Sequence, residues 1–179
     1  MSQLIIISGP SGVGKTTICK ALCLEEGFVE SVSTTTRPKR STEEYGKDYY
    51  FISEKSFDGL VNHNAFLEWQ QFAGFRYGTT KTELDEKLRK NNFIFVVVEQ
   101  EGAANIRKTY PNAISIFIAP PNKEELIRRL SGRGDTPDLK ERLALVKQTL
   151  ELAKCHDHII EAHSVEDCIA EIKNILGLS

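Results

Sequence analysis

Short runs of hydrophobic residues, separated by polar stretches, recur along the chain. Some of these runs are apolar at successive positions, which is typical of parallel strands buried on both faces: residues 3–8, 94–98 and 114–118. The segments between and after them favour helices: residues 15–25, 80–90, 101–110 and 123–131, and a long helix from residue 139. Near the end, Ile159 and Ile160 indicate a last short strand, and Ser164 with Asp167 is typical of the start of a final helix.

The stretch from about residue 31 to residue 80 breaks this alternation. It begins with a polar segment, and the elements that follow in it are short: a strand at 49–52, a helix at 56–62, a strand at 66–72 and a turn at 73–74. Elsewhere, alternating strands and helices with short connections predict an α/β fold with a mostly parallel sheet. We therefore interpret residues 31–80 as a small subdomain inserted into that fold, suited to a second substrate.

Composition and charge narrow the classes of function. The chain has 179 residues, of which 40% are hydrophobic and 27% charged, and its net charge is −2. These values predict a single globular domain with no nucleic-acid-binding surface. The apolar runs are too short to span a membrane. Because the N-terminus leads straight into a strand, we expect no signal peptide and a cytoplasmic protein.

Between the first predicted strand and the first predicted helix stands a glycine-rich motif, Gly9-Pro10-Ser11-Gly12-Val13-Gly14-Lys15-Thr16, followed by Thr17. It has the G-x-x-x-x-G-K-[ST] pattern of a P-loop. The glycines allow backbone N–H groups to surround an anion, and the N-terminus of the helix is directed at the same point. Lys15 can reach the β- and γ-phosphates, and the Thr16 hydroxyl suits Mg²⁺. Residues 9–17 therefore predict a site for a nucleoside triphosphate with Mg²⁺.

Residues of the inserted segment suggest an acceptor site. Arg37 and Arg40 suit a dianionic phosphate, because each can make bidentate contacts, and Tyr49 and Tyr77 add hydroxyl donors. From these residues alone, a solvated basic loop remains the alternative. Glu68 follows an apolar pair, so its carboxylate either faces outward or meets a specific donor. Guanine offers N1–H and N2–H₂ as adjacent donors to one carboxylate, whereas adenine does not.

Several motifs together resemble the guanylate kinase family: GPSGVGKTT, SVSTTTRPKR, E-x-x-G-K-D-Y-Y-F, FLEWQQFAGFRYGT, IFIAPP and RRLSGRG. The resemblance extends in order over residues 4–150. It implies Mg²⁺-dependent transfer of the γ-phosphoryl group of ATP to GMP, giving ADP and GDP, in purine nucleotide metabolism. It also implies a P-loop three-layer core (about residues 1–30, 81–125 and 143–179), a GMP-binding subdomain (about 31–80) and a mobile helical lid (about 126–142).

The resemblance implies roles for individual residues. Catalytic roles fall to Lys15, Arg37, Arg133 and Arg142. GMP would be held by Ser33, Arg37, Arg40, Glu43, Tyr49, Glu68, Tyr77, Thr79 and Glu99, with Glu68 and Thr79 on the guanine. Arginines of the lid would stabilise the charge of the transferring phosphoryl group. An alternative for Arg142 is a surface pair with Asp138, four residues before it.

The chain departs from the family pattern after the second buried strand and near its end. Glu99-Gln100-Glu101-Gly102 stands where the family usually has an aspartate, one further residue and Gln-Gly. An extra charge at Glu101 would weaken phosphate binding unless it points away or is paired. Ala162 stands where the family usually has an asparagine, so we expect altered ATP affinity or selectivity among nucleoside triphosphates.

Alternatives to a GMP-phosphorylating enzyme remain. One is a non-catalytic binding module of the same fold, against which the complete P-loop and the arginines count. Another is a related kinase that acts on a different phosphorylated acceptor, against which Glu68 and Thr79 count. The choice between GMP and dGMP is open, and the chain is expected to be a monomer or a homodimer.

Overall fold

The structure is a computed structural model that describes residues 2–10, 12–72, 74–98, 100–122, 125, 151 and 153–178. Its strands are β1 (Gln3–Ser8), β2 (Phe28–Glu30), β3 (Thr34–Thr35), β4 (Tyr50–Phe51), β5 (Phe66–Phe72), β6 (Phe75–Thr80), β7 (Phe93–Val97), β8 (Ile114–Ala119) and β9 (His158–Glu161). Its helices are α1 (Lys15–Leu22), α2 (Glu54–Asn62), α3 (Lys81–Lys90), α4 (Gln100–Thr109) and α5 (Val165–Ile175). None of these described helices combines the length and apolar character needed to cross a lipid bilayer.

A five-stranded sheet in the order β2-β7-β1-β8-β9 forms the centre of the molecule, and all its strands are parallel. Side chains of β1 alternate between its two faces. Ile5 and Ile7 pack with apolar residues of α1 and α5, whereas Leu4 and Ile6 pack with those of α3 and α4. Burying each such side chain contributes about 1.5–3 kcal/mol. The result is a three-layer α/β/α core, which confirms the predicted fold class.

A second, four-stranded sheet in the order β4-β3-β6-β5 lies within the segment predicted to be inserted. It is mixed, because β3 and β4 are parallel whereas β6 is antiparallel to both β3 and β5. Helix α2 covers one face of this sheet through Phe57, which is fully buried. The Phe57 ring lies 4.5 Å from the Phe66 ring and 5.9 Å from the Trp69 ring, measured between centroids.

A bulge in β5 changes the direction of its side chains. Phe66 pairs with Thr80 on β6, but Glu68, two residues later, pairs with the adjacent Thr79. Two steps along β5 therefore match a single step along β6, and the usual alternation shifts by one residue. Phe66 and Trp69 both face α2, and Glu68 faces the opposite side of the sheet together with Thr79.

The strands that sequence patterns missed are either very short or contain several polar residues. The predicted bounds of β1 and β5 are confirmed, whereas β2, β3 and β6 were not predicted. β2 spans three residues and β3 only two, both of them threonines. β6 includes Arg76 and Gly78, so it lacks an alternating apolar pattern. Pairing with neighbouring strands, rather than local propensity, forms these elements.

Helix starts were predicted more reliably, because capping is local. The Ser164 side chain accepts the Asp167 N–H at 3.0 Å at the start of α5. The Asn122 side chain likewise accepts the Glu125 N–H at 2.7 Å. The first interaction confirms the helix start predicted at Ser164, and the second is a capping hydrogen bond of the same kind. The body of the helix predicted at 123–131, and most of the long helix predicted from residue 139, lie outside the described residues.

The carboxylate of Glu83 joins α3 to the inserted segment. Its exposed fraction is only 7%. Oε1 accepts the backbone N–H of Val32 at 3.0 Å, and Oε2 accepts the Tyr50 hydroxyl at 2.9 Å. Burial and this second hydrogen bond raise the pKa of Tyr50 to about 12. Glu83 thus fixes both the entry to the inserted segment and its strand β4 relative to the core.

Replacing Glu83 by alanine should lower the free energy of unfolding by about 2–3 kcal/mol. A hydrogen bond to a charged group contributes about 1.5–3 kcal/mol, and the buried Val32 N–H would lose its acceptor. Urea denaturation followed by circular dichroism measures the change. Glu86→Ala, at an exposed position of the same helix, is the control and should change stability by less than about 0.5 kcal/mol. Equally small effects from both substitutions would contradict the role of Glu83.

Candidate active site

The loop between β1 and α1 bends at glycines in backbone conformations that other residues rarely adopt. The φ angles are +146° at Gly9, +84° at Gly12 and +107° at Gly14. Gly9 also allows a close backbone approach. A β-carbon at this position would lie 2.3 Å from the carbonyl oxygen of Ile118 on β8. The start of the loop therefore rests directly on the neighbouring strand, and a side chain there would displace it.

Lys15, the first residue of α1, folds over this loop. Its Nζ donates to the Gly9 carbonyl oxygen at 2.5 Å and to the Pro10 carbonyl oxygen at 3.2 Å. Within α1, the Ile18 N–H donates to the Gly14 carbonyl at 3.0 Å. A helix N-terminus carries a partial positive charge, so the start of α1 adds to the positive charge of this region. An ammonium group, a helix N-terminus and a glycine-rich turn thus converge on one point, as anion binding requires.

A cleft of about 420 Å³ opens beside the loop. Its walls come from the loop, from α1 and from the segment between β9 and α5: Gly12, Val13, Gly14, Thr17, Ile18, Ala162, Ser164 and Val165. Ala162 is 4% exposed and its N–H donates to the Ala119 carbonyl at 2.8 Å. The departure from the family pattern at Ala162 therefore falls in the wall of this cleft.

Thr16 follows Lys15 in the first turn of α1, where its side chain is exposed. Among the described residues no group of three or more His, Cys, Asp or Glu side chains is arranged to hold a metal ion. Mg²⁺ bound with a nucleotide needs only one or two protein ligands, because phosphate oxygens and waters complete its octahedral shell. An accessible hydroxyl beside the glycine-rich loop fits that requirement.

Arg37 lies in a cluster with three other predicted acceptor residues, which we call the acceptor cluster: Arg37, Glu43, Tyr49 and Tyr77. The Arg37 guanidinium donates to both Glu43 carboxylate oxygens, at 2.6 and 3.1 Å. Its central carbon lies 5.5 Å from the Tyr49 ring centroid, and the Tyr49 and Tyr77 rings are 6.0 Å apart. Hydrogen bonds raise the pKa of Arg37: the bond with Glu43 has the largest effect, and the bond with Tyr77 adds to it. The structure therefore brings these four residues together.

Glu43 accepts a further hydrogen bond from the backbone N–H of Arg40, at 2.8 Å. These hydrogen bonds lower the pKa of Glu43 to about 2, and the bond from the Arg37 side chain has a larger effect than the bond from the Arg40 N–H. Glu43 thus holds Arg37 and the turn at Arg40 in one arrangement. The predicted alternative of a merely solvated basic loop does not describe Arg37, whose side chain is only 13% exposed.

Glu68 and Thr79 form a buried polar pair on the side of the second sheet that faces away from α2. Glu68 is 8% exposed and Thr79 is fully buried. Loss of water raises the pKa of the Glu68 carboxyl, while the hydroxyl and backbone of Thr79 act in the opposite direction. The Thr79 hydroxyl lies close to the Glu68 carboxyl group. Among the described residues, however, it has no partner at both the distance and the angle of a hydrogen bond. This pair can therefore accept hydrogen bonds from a polar ligand and can donate one to it through the Thr79 hydroxyl.

The remaining predicted residues divide into those the structure describes and those it does not. Ser33 is partly exposed beside β3, and its carbonyl accepts the Tyr50 N–H at 2.9 Å. Glu101 is exposed in the first turn of α4. Four predicted site residues lie outside the described residues: Ser11, Glu99, Arg133 and Arg142.

Sequence reasoning missed Glu83 and Gly102. Thr80 and Glu83 match the S/T-x-x-E capping pattern, and Thr80 indeed accepts the Glu83 N–H at 3.3 Å. The pattern conceals the second role of this carboxylate, because Val32 and Tyr50 are distant in sequence. Gly102 keeps the glycine of the family's Gln-Gly pattern, but that match gives no sign of its close approach to Glu68.

A separate hollow of about 490 Å³ lies on the α2 side of the second sheet, lined by Glu54, Asp58, Trp69, Gln71, Gly74 and Arg76. Its two carboxylates are already paired with Arg76. It contains none of the predicted site residues, so we do not assign it to the active site.

The guanylate kinase family model matches residues 1–178 of the chain. The chain belongs to the guanylate kinase family. This membership agrees with the glycine-rich loop, the parallel core and the inserted mixed sheet described above. It confirms the resemblance drawn from the sequence motifs.

Similar guanylate kinases come from several bacteria. The chain is 41% identical over 176 residues to a guanylate kinase of Prochlorococcus marinus, which covers 97% of this chain and 96% of that protein. It is 39% identical to one from Aster yellows witches'-broom phytoplasma, covering 97% and 84% of the two chains. The crystal structure of guanylate kinase from Anaplasma phagocytophilum matches 98% of this chain and 85% of its own, with a TM-score of 0.77 and 29% identity.

The carboxyl group of Glu43 should titrate near pH 2 rather than near its usual value of about 4.3. Since the folded-state pKa is the lower one, ionised Glu43 favours the folded state above about pH 4.3, and this contribution is lost as the pH falls toward 2. NMR of the side-chain carboxyl carbon at about pH 3.5 should therefore find Glu43 mostly ionised.

Arg37→Met should move this titration back toward about pH 4.3, because Arg37 is the main cause of the shift. Arg40→Ala is the matched control, since it keeps the backbone N–H that Glu43 accepts. A wild-type midpoint near pH 4 would contradict the pairing of Arg37 with Glu43.

Proposed function

We propose that this chain catalyses the Mg²⁺-dependent transfer of the γ-phosphoryl group of ATP to GMP, giving ADP and GDP. The main support is one combination: a glycine-rich anion-binding loop in the core and a buried carboxylate–hydroxyl pair, Glu68 and Thr79, in the inserted sheet. The loop suits a triphosphate, and the pair suits a base with adjacent donors. The relatives named guanylate kinase point to the same reaction.

ATP is bound by residues 9–17 in this proposal. Backbone N–H groups of the loop and the N-terminus of α1 surround the phosphates. Lys15 Nζ, which lies over the carbonyls of Gly9 and Pro10, contacts the β- and γ-phosphates. The nucleoside occupies the adjoining cleft, against Ala162 and Val165. The Thr16 hydroxyl, with phosphate oxygens, would hold Mg²⁺, which would supply positive charge to offset the charge of the transferring group.

The phosphate of GMP is bound by the acceptor cluster. Arg37 presents a guanidinium that Glu43 already orients, so little side-chain entropy is lost when the phosphate binds. Tyr49 and Tyr77 donate from their hydroxyls, and Arg40 and Ser33 complete the set. Holding the phosphate as a dianion in one orientation directs an oxygen of it toward the γ-phosphorus of ATP.

The guanine base is bound by Glu68, Thr79 and Glu99. The Glu68 carboxylate accepts both N1–H and N2–H₂, and the Thr79 hydroxyl adds a polar contact. Because Glu68 is buried, each hydrogen bond to it forms in a low dielectric and discriminates strongly against bases that lack the donors.

The chemical step requires positioning and charge stabilisation. An oxygen of the GMP phosphate forms a bond to the γ-phosphorus, and the bond from that phosphorus to the ADP oxygen breaks. Charge spreads over the transferring oxygens and is stabilised by Lys15, Arg37, Arg133 and Arg142. In the proposal the two last residues belong to a lid, residues 126–142, that closes and excludes water.

We propose further that the protein acts in the cytoplasm, in purine nucleotide metabolism, as a monomer or homodimer with no nucleic-acid or membrane partner. The net charge of −2 supports the part of this proposal that concerns nucleic acid.

Replacing Lys15 by alanine should reduce kcat by at least about 100-fold, because a positively charged donor to the transferring phosphoryl group is lost. The far-ultraviolet circular dichroism spectrum should be unchanged. Lys20→Ala is the matched control: it removes a lysine of the same helix that is 64% exposed and pairs with Asp48. A Lys15 variant with more than about a tenth of the wild-type kcat would contradict the assigned role.

Replacing Glu68 by glutamine should lower kcat/KM for GMP by about 10- to 100-fold while leaving KM for ATP within about twofold. A neutral amide accepts with one oxygen and presents its own N–H₂ to the guanine donors, so about 1.5–3 kcal/mol is lost. Steady-state kinetics with each substrate varied in turn measures both constants. Glu86→Gln, the same substitution at an exposed position of α3, is the control and should leave both constants unchanged. Unchanged GMP kinetics in the Glu68 variant would exclude the base-reading role.

A further inference from the structure

Gly102, in the first turn of α4, contacts the carboxyl group of Glu68. A β-carbon at this position would lie 2.9 Å from Glu68 Oε2 and 3.2 Å from its carboxyl carbon. Distances below about 3.0 Å do not occur for real β-carbons, so Gly102 has no room for a side chain while Glu68 keeps its place. The contact joins β5 of the inserted sheet to a helix of the core.

The neighbours of Gly102 decide which group would yield to an added methyl group. On its other side, that β-carbon would lie 3.2 Å from the β-carbon of Val98, which is itself 6% exposed. Helix α4 cannot retreat easily, because Ala103 and Ile106 are buried in the core beneath it. The Glu68 carboxyl group is the end of a flexible side chain, so it would move first.

The bulge in β5 and Gly102 act on the same carboxylate. The bulge turns Glu68 away from α2 and toward α4, beside Thr79. Gly102 then provides the space in which the carboxylate lies. Without the bulge, Glu68 would point to the side where Phe66 and Trp69 pack on Phe57. Two features that are distant in sequence thus determine one position.

We propose that Gly102 is a specificity-determining positioning residue for the acceptor: its missing side chain sets where the Glu68 carboxylate meets the purine base. This inference rests on the proposed function, since it assumes that Glu68 reads the base. Gly102 itself touches no reacting atom. Its effect is exerted through Glu68 alone.

The test is Gly102→Ala, with GMP affinity measured by calorimetry and with KM and kcat measured for both substrates. KM and Kd for GMP should rise about 10-fold. A displacement of 1 Å at a site can lower activity about 100-fold, and the shift expected for the Glu68 carboxylate is smaller. KM for ATP should stay within about twofold. The melting temperature should be unchanged or higher, since alanine favours helix more than glycine does.

Gly59→Ala is the matched control. Gly59 also lies within a helix, its φ is not positive, and nothing stands within 4 Å of a β-carbon there. Its constants for GMP and ATP should equal those of the wild type. In a Glu68→Ala background, Gly102→Ala should cause no further loss of GMP affinity, because the group it displaces is gone.

Three results would overturn the inference: unchanged GMP affinity in Gly102→Ala, a similar loss for GMP and ATP together with a lower melting temperature, or a further loss of GMP affinity in the Glu68→Ala background. Failure of the proposed function gives a different result. In that case the wild type and Gly59→Ala would themselves not phosphorylate GMP, whatever the effect of changing Gly102.

Discussion

A carboxylate that is removed from water needs other hydrogen-bond partners, and at Glu68 this requirement shapes the proposed acceptor half of the site. The side chain is 8% exposed, and burial raises its pKa, so the ionised form is favoured only when donors surround it. Thr79 supplies part of that environment. The bulge before Glu68 and the missing side chain of Gly102 leave the carboxylate where a base with two adjacent donors can complete it.

The parallel core places the glycine-rich loop, the proposed donor half of the site, where this kind of fold binds ligands. The loop after β1 and the start of α4 after β7 lie beyond the carboxyl ends of adjacent strands, and the cleft next to the loop includes Ala162, directly after β9. The contact between Gly9 and the Ile118 carbonyl seats the loop on the sheet. Glu83 ties the inserted segment to α3, so both halves are attached to the same three-layer core.

The core and the donor loop were predictable from the sequence because their signals are local. Apolar runs identified β1 and β8, the glycine–lysine motif identified the loop, and capping side chains identified the start of α5. Two strands of the inserted sheet, β3 and β6, could not be predicted in this way, because they exist only through pairing between distant segments. The same limit applies at the site. Arg37 and Glu68 could be proposed from their chemistry, whereas Glu83 and Gly102 act through partners far away in sequence.

The most direct test of the account compares GMP with IMP as acceptors of the wild-type enzyme. IMP keeps N1–H but has no N2 amino group, so it removes one of the two donors that Glu68 is proposed to accept. A hydrogen bond to a buried charged group contributes about 1.5–3 kcal/mol, so kcat/KM for IMP should be about 10- to 100-fold lower than for GMP. Equal values of kcat/KM for the two acceptors would contradict the reading of guanine by Glu68.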